Sequence, residues 1–191
     1  MKKNIDEIVE VSRNIYSQGL VCGKSGNVSA RLKDYIAITP TLKSLGNLEE
    51  KDIVLVDFDG NILTKGKPSS EVNMHLGIYK KRSDVNAIVH THSPYATGFT
   101  FTDKKLKRFE GFGAIKKPYL SSIGYERPGS DELAKKASEG IGDDDVLILK
   151  NHGVVCVGRS LGEAESLAGF VEETAKTQFI TYMLNSVEDV I

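Results

Sequence analysis

The middle of the chain carries the stretch Ala87-Ile88-Val89-His90-Thr91-His92, on which the prediction of the fold depends. Its short apolar run is typical of a buried β-strand, and two histidines mark the end of that strand. Residues i and i+2 of a strand point to the same face, so the imidazoles of His90 and His92 can reach one point. Pro94 follows at a position that suits the first turn of a helix.

Two further apolar runs, Val146–Lys150 and Val154–Val157, lie on either side of the turn-like tripeptide Asn151-His152-Gly153. This pattern predicts two strands joined as a hairpin, so His152 also lies at a strand end. Catalytic zinc typically has three protein ligands and one open position, and imidazole nitrogen is a usual ligand. A His-x-His pair alone is more often the polar end of a strand, so the metal hypothesis depends on the third histidine.

Histidine and carboxylate are the candidate metal ligands, because the two cysteines lie far apart without a Cys-x-x-Cys pair. The chain contains four histidines. Three of them, His90, His92 and His152, lie at predicted strand ends. His75 lies inside a predicted helix and is interpreted as structural.

The remaining sequence predicts helices and strands that complete one domain around these segments. Ser160 and Glu163 form a capping box at the start of the last helix. The predicted helices cover residues 5–16, 69–82, 130–139 and 160–183, and an antiparallel meander covers 27–32, 35–39 and 53–57. We therefore expect a single α/β domain over residues 1–191, with a central, largely antiparallel β-sheet flanked by helices.

The composition excludes several classes of protein. The 191 residues include 25 Lys and Arg against 26 Asp and Glu, a net charge of −1, and this balance gives nucleic-acid binding no support. No apolar stretch approaches the roughly 20 residues of a membrane span. The N-terminus carries acidic residues where a signal peptide needs its apolar region. We expect a cytoplasmic protein with no nucleic-acid partner and no membrane association.

The segment Lys67-Pro68-Ser69-Ser70-Glu71 predicts a helix N-terminus with two hydroxyls beside unpaired backbone N–H groups. The helix dipole favours an anion such as phosphate there. Plain N-capping is the commoner role of serine at this position, and Glu71 suits a first helical turn without any chemistry. Upstream, the loop from Gly23 to Ser29 lacks the spacing and the following helix of a P-loop. It is a candidate anion nest or a simple connecting turn.

Five motifs follow one another along the chain. They are Ser25-Gly26-Asn27-Val28-Ser29, Ile38-Thr39-Pro40-Thr41, Lys67-Pro68-Ser69-Ser70-Glu71, Ile88-Val89-His90-Thr91-His92 and Leu149-Lys150-Asn151-His152-Gly153. Together they resemble the class II aldolase/adducin family, with the closest likeness to its L-fuculose-1-phosphate aldolase branch. The resemblance runs from about Ile5 to Tyr182. It implies a single α/β domain, usually in a cyclic homotetramer with active sites at subunit interfaces.

The resemblance also implies a role for each matching residue. His90, His92 and His152 match three zinc-binding histidines, and Glu71 matches the catalytic carboxylate. Five positions match the surroundings of the substrate phosphate: Gly26, Asn27, Thr41, Ser69 and Ser70. The implied activity is zinc-dependent, reversible cleavage of a ketose 1-phosphate, such as L-fuculose 1-phosphate, to dihydroxyacetone phosphate and a small aldehyde such as lactaldehyde.

Two departures from the family pattern concern candidate site residues. Leu42 and Lys43 follow Thr41 where many relatives have glycine, and Lys43 is a candidate charge for the phosphate site. A tyrosine acid that the resemblance calls for has no counterpart, which leaves Glu110 as a candidate substitute in proton transfer. Three alternatives stay open: a sugar-phosphate 4-epimerase, a methylthioribulose-1-phosphate dehydratase and a non-catalytic adducin-like binding module.

Overall fold

The computed structural model describes residues 2–109 and 117–186, so the candidate Glu110 lies outside the described residues. Within these ranges the chain forms five α-helices and seven β-strands. The helices are α1 (Lys2–Ser17), α2 (Val72–Lys81), α3 (Pro94–Thr100), α4 (Asp131–Gly140) and α5 (Leu161–Ser186). The strands are β1 (Asn27–Arg31), β2 (Tyr35–Ile38), β3 (Val54–Asp57), β4 (Ala87–Thr91), β5 (Ser121–Ile123), β6 (Val146–Leu149) and β7 (Gly153–Gly158).

The seven described strands form one sheet in the order β3-β2-β1-β4-β7-β6-β5. Neighbouring strands pair antiparallel, except for the parallel pair of β5 and β6 at one edge. Helices α1, α3 and α5 pack on one face of the sheet, and α2 and α4 pack on the other, each group over its own apolar cluster. This confirms the prediction of an α/β domain with a largely antiparallel sheet flanked by helices.

The alternation of side chains along the strands decides which residues face α2. In β4, Val89 joins the apolar cluster under α1 and α5, whereas Ile88 joins the cluster under α2. His90 follows Ile88 by two residues and therefore shares the α2 face. In β1, Asn27 and Ser29 form hydrogen bonds to side chains on and just before α2. Polar residues from two neighbouring strands thus meet beneath this helix.

Helix α2 begins at Val72, three residues later than the sequence predicts. The segment before it is held extended by a long-range contact, in which the Ser69 N–H donates to the Thr39 carbonyl oxygen at 3.0 Å. That pairing keeps Ser69 out of the helix, and Glu71 occupies the cap position instead. Two serines therefore precede the helix rather than begin it.

Helix α5 begins with Ser160 as its cap, as predicted, but one of the two hydrogen bonds of the predicted capping box differs. The Ser160 hydroxyl accepts the Glu163 N–H at 3.2 Å, but the Glu163 carboxylate accepts the N–H of Arg159 at 2.8 Å. The reciprocal bond of the predicted capping box is thus made one residue earlier in the chain. Among the described helices, including this one of 26 residues, none combines the length and apolar character that a membrane crossing requires.

Candidate active site

Three imidazoles converge at the end of β4. The turn between β6 and β7 brings His152 beside this strand, because β7 pairs with β4 in a register that sets Val154 opposite Thr91. The ring centroids of His90, His92 and His152 lie 4.7 to 5.0 Å apart. One ligand atom from each ring lies within 4.8 Å of the other two. The structure thus brings together the three histidines that end predicted strands.

Hydrogen bonding orients the rings so that ligand nitrogens face one another. His90 Nδ1 lies 2.9 Å from the carbonyl oxygen of Val154, which can only accept, so Nδ1 carries the hydrogen and Nε2 presents a lone pair. His92 Nε2 lies 2.9 Å from this lone pair. A proton or a metal cation has to lie between two ring nitrogens at such a distance.

Glu71 adds a buried carboxylate to the cluster. Its Oε2 lies 3.2 Å from His90 Nε2 and accepts the Asn27 Nδ2–H at 2.9 Å, and its Oε1 lies 3.4 Å from His152 Nε2. Burial opposes ionisation, but the two imidazoles and the amide donor hold the pKa of Glu71 well below its usual value. The carboxylate is therefore ionised at neutral pH.

The environment keeps two of the imidazoles neutral. Burial lowers the pKa of His92 to about 3 and the pKa of His152 to about 4, and the neighbouring His90 adds to both shifts. Burial also disfavours charge on His90, but the Glu71 carboxylate raises the pKa of His90 above its usual value. The negative charge that favours a proton on His90 also favours a metal cation at the same place.

The residues present fit a divalent metal ion. Glu71 Oε1 and His152 Nδ1 are buried polar atoms to which the described residues give no hydrogen-bond partner, whereas buried polar atoms are normally satisfied. Three imidazole nitrogens beside an ionised carboxylate are the donor types that zinc prefers. The arrangement can therefore hold a metal and move a proton next to it.

The predicted phosphate-binding residues lie on three adjoining segments. One hydrogen bond joins β1 to the segment after β2, from the Val28 N–H to Thr39 Oγ1 at 3.1 Å. The contact between Ser69 and Thr39 joins that segment to the two serines. The structure therefore places on neighbouring segments all five candidates, Gly26, Asn27, Thr41, Ser69 and Ser70.

The loop after Thr41 has a non-glycine residue in a backbone conformation that favours glycine. Leu42 adopts a φ of 59°, in the left-handed region that favours glycine, and its side chain is 73% exposed. Lys43 forms an ion pair with Asp52. The positive charge of Lys43 is thus already paired with a carboxylate, and a role for Lys43 in phosphate binding stays a prediction.

Position 153 requires glycine, which the sequence alone does not indicate. A Cβ on Gly153 would overlap the Thr91 carbonyl oxygen and lie 3.2 Å from His90 Cε1 and 3.4 Å from His92 Cδ2. The turn that carries His152 can approach β4 only without a side chain here. No local pattern indicates this, because the obstructing atoms belong to a strand far away along the chain.

Replacing Gly153 by alanine is expected to lower the free energy of unfolding by roughly 1–3 kcal/mol, because the new methyl group must displace the β4 backbone. Retention of any bound metal should weaken as well, since the imidazoles of His90 and His92 lie against this position. Denaturant unfolding and metal analysis measure the two effects. Gly162→Ala is the matched control, as nothing lies within 4 Å of its Cβ position. Equal free energies of unfolding and equal metal content in the two variants would contradict the steric argument.

Fold and site together define the class of protein: an α/β domain in which three imidazoles and a carboxylate converge at one end of the sheet. The chain belongs to the Class II Aldolase and Adducin N-terminal domain family, whose family model matches residues 6–179. The resemblance carried by the five sequence motifs is thereby confirmed.

Individual relatives cover nearly the whole chain. The L-fuculose phosphate aldolase of Methanococcus maripaludis is 42% identical over 185 residues, which are 97% of this chain and 99% of that protein. The 3-oxo-tetronate 4-phosphate decarboxylase of Haemophilus influenzae is 36% identical over 178 residues, or 90% and 85% of the two chains. A solved structure of an L-fuculose 1-phosphate aldolase matches with a TM-score of 0.87 at 29% identity, covering 98% of this chain and 91% of that one. These similarities confirm the prediction of an enzyme of the aldolase family, although the names differ in reaction.

Proposed function

We propose that the protein is a zinc-dependent aldolase that cleaves a ketose 1-phosphate, such as L-fuculose 1-phosphate, reversibly to dihydroxyacetone phosphate and a small aldehyde such as lactaldehyde. The observation that carries the proposal is the position of Glu71, whose carboxylate lies 3.2 and 3.4 Å from nitrogens of two converging imidazoles. The name of the 42% identical relative supports the same class of substrate.

His90, His92 and His152 would hold the zinc ion. When bound, zinc supplies a Lewis acid for the negative charge that develops on substrate oxygens during cleavage between C3 and C4. Because the His90 Nδ1–H donates to the Val154 carbonyl oxygen, Nε2 is the nitrogen of that ring left to bind a metal. The chain thus presents preoriented lone pairs, as a ligand set for metal requires.

Glu71 would move a proton at C1 of the dihydroxyacetone phosphate fragment, as general base in one direction and general acid in the other. Its lowered pKa keeps it in the ionised form from which a general base starts. Its Oε2 is held by the Asn27 amide, whereas Oε1 has no hydrogen-bond donor among the described residues. We therefore assign the proton transfer to Oε1.

The substrate phosphate would bind at three adjoining segments: the start of β1 with the residue before it, the residues after β2 and the residues before α2. Asn27 Nδ2 carries two hydrogens and directs one to Glu71, so the second is a proposed phosphate donor. Binding the phosphate away from the reacting carbons orients the substrate relative to Glu71. The other proposed contacts come from Gly26, Thr41, Ser69 and Ser70.

Adding L-fuculose 1-phosphate, D-ribulose 1-phosphate and related ketose 1-phosphates to the purified protein, with and without chelator, tests the proposal. Release of dihydroxyacetone phosphate is expected, with about one zinc per chain and loss of turnover on chelation. Bound zinc without release would favour the 4-epimerase or the dehydratase. Absence of both metal and turnover would favour a non-catalytic module.

Decarboxylation of a phosphorylated 3-oxo acid is a second candidate, favoured by the 36% identical relative named as such a decarboxylase. Both reactions break a carbon–carbon bond and leave negative charge on substrate oxygens, so both can use the same metal and carboxylate. Release of carbon dioxide from 3-oxo-tetronate 4-phosphate, with no product from the ketose 1-phosphates, would replace the aldolase proposal.

We further propose that the chain forms a homotetramer with active sites at subunit interfaces. Large apolar side chains stay exposed on the last turns of α5, and a surface of this kind suits a second copy. Phe179, Ile180, Met183 and Leu184 are between 44% and 70% exposed. A monomer measured by light scattering would contradict this assembly.

A further inference from the structure

A series of buried polar contacts leads from Glu71 into the interior between β1 and α2. Asn27 Nδ2 lies 2.9 Å from Glu71 Oε2, and Asn27 Oδ1 lies 2.5 Å from His75 Nε2. His75 Nδ1 lies 2.7 Å from Ser29 Oγ, which lies 2.8 Å from the hydroxyl of Tyr79. None of the five residues is more than 5% exposed.

The direction of each hydrogen bond in this series follows from the one before it. The ionised Glu71 carboxylate only accepts, so the amide nitrogen of Asn27 faces it and donates. The amide oxygen of Asn27 then faces His75 and only accepts, so the hydrogen of this neutral imidazole is on Nε2. Its Nδ1 must accept from the hydroxyl of Ser29. The one hydrogen of the Tyr79 hydroxyl then faces two acceptors, Ser29 Oγ and the Ser29 carbonyl oxygen.

The inner end of the series is anchored by the surrounding structure. The Tyr79 hydroxyl also lies 3.1 Å from the Ser29 carbonyl oxygen. The guanidinium carbon of Arg31 lies 4.9 Å from the centre of the Tyr79 ring, and its Nε donates to the carbonyl oxygen of Val85 at 2.9 Å. Burial lowers the pKa of His75 to about 3, so the ring stays neutral. The tautomer of His75 is therefore fixed before any substrate arrives.

This arrangement makes His75 the group that selects the orientation of the Asn27 amide. Turning that amide by 180° would set its oxygen against the Glu71 carboxylate and its NH2 group against the Nε2–H of His75. Both contacts would be repulsive and shielded from water, where unsatisfied polar groups are costly. Without a donor at position 75, only the contact with Glu71 would remain to orient the amide.

We infer that His75 is a positioning residue, which holds the Asn27 amide with its N–H toward Glu71 and thereby fixes the carboxylate for proton transfer. The inference deepens the proposed function and rests on it, because the role of Glu71 comes from that proposal. A site needs such support, since a reacting group that is slightly loose loses much of its rate.

The tautomer of His75 tests the hydrogen-bond directions without any assay of activity. Long-range ¹H–¹⁵N correlation spectra of the purified protein, labelled at histidine nitrogens, should show His75 with its hydrogen on Nε2 and an unprotonated Nδ1. The signal is assigned by its absence from His75→Gln. A hydrogen on Nδ1 would overturn the inference, whether or not the protein cleaves ketose phosphates.

Kinetics test the positioning itself. His75→Leu should lower kcat for ketose 1-phosphate cleavage by about 10- to 100-fold, as loss of a hydrogen-bond partner behind a site residue does elsewhere, with zinc content little changed. His75→Gln should recover most of kcat, because a glutamine N–H can replace the Nε2–H donor. Unchanged kcat in His75→Leu, or a glutamine variant no better than the leucine one, would overturn the inference.

Ser29→Ala covers the case in which His75→Leu does not fold. It removes only the hydroxyl that donates to His75 Nδ1 and should lower kcat by several-fold. Ser12→Ala is its matched control, because Ser12 is equally buried and its hydroxyl has no hydrogen-bond partner among the described residues. Equal kcat in the two serine variants would overturn the inference. If the unaltered protein cleaves no ketose phosphate, the proposed function fails, and the tautomer alone decides whether His75 orients Asn27.

Discussion

Replacing Glu71 by glutamine is expected to lower kcat for ketose 1-phosphate cleavage by about 10²- to 10⁴-fold, the range that a general acid–base group contributes. Glutamine keeps the size of the side chain and an oxygen that can accept the Asn27 N–H, but it does not take up a proton at neutral pH. Zinc content should stay at about one per chain, since the three imidazoles are unchanged. Steady-state kinetics and metal analysis of both proteins provide the measurement.

Glu132→Gln is the matched control for this substitution. Glu132 is an exposed carboxylate in the first turn of α4, so its loss should leave kcat, KM and zinc content unchanged. Full cleavage activity in Glu71→Gln would remove Glu71 from the proposed chemistry. Loss of zinc together with activity would make Glu71 a metal ligand in place of a proton carrier.

A second large effect is expected from His152→Ala. The variant removes one of three converging imidazoles and the nitrogen 3.4 Å from Glu71 Oε1. Zinc affinity should fall by at least about 100-fold, more than the loss of an outer-shell partner costs, and cleavage should fall with it. Competition for zinc with a chromogenic chelator measures the affinity.

The two variants are informative as a pair. Glu71→Gln should keep zinc and lose turnover, whereas His152→Ala should lose both. This separation would distinguish the group proposed to move a proton from the groups proposed to hold the metal. Unchanged zinc affinity in His152→Ala would contradict the three-histidine site.

The strand that carries His90 and the hairpin that carries His152 are predictable from sequence because their signals are local. An apolar run, a turn-like tripeptide and the alternation of side chains each lie within a few neighbouring residues. The candidate metal ligands follow from these elements, since they are histidines at predicted strand ends. The antiparallel pairing of β1 and β2 is likewise set by the short connection of residues 32–34.

Other features of the site cannot be predicted from the sequence, because they depend on contacts between distant parts of the chain. Asn27 and His75 lie 48 positions apart, so the helical spacing of Glu71, His75 and Tyr79 shows only that they share one side of α2. The late start of that helix depends on the contact between Ser69 and Thr39. The crowding around Gly153 also comes from another strand.

The position of β4 between β1 and β7 has a consequence for how the protein folds. The contact between His90 and Val154 spans 64 positions, and the pairing of β1 with β4 sets Asn27 opposite His90, 63 positions away. Such non-local pairings close slowly, because the entropy of a long loop is lost before its contacts form. The three candidate metal ligands are therefore brought together only once the centre of the sheet has assembled. In a refolding experiment, zinc binding should therefore occur at the same rate as the slow phase of sheet formation. Its time course would then measure the formation of native protein.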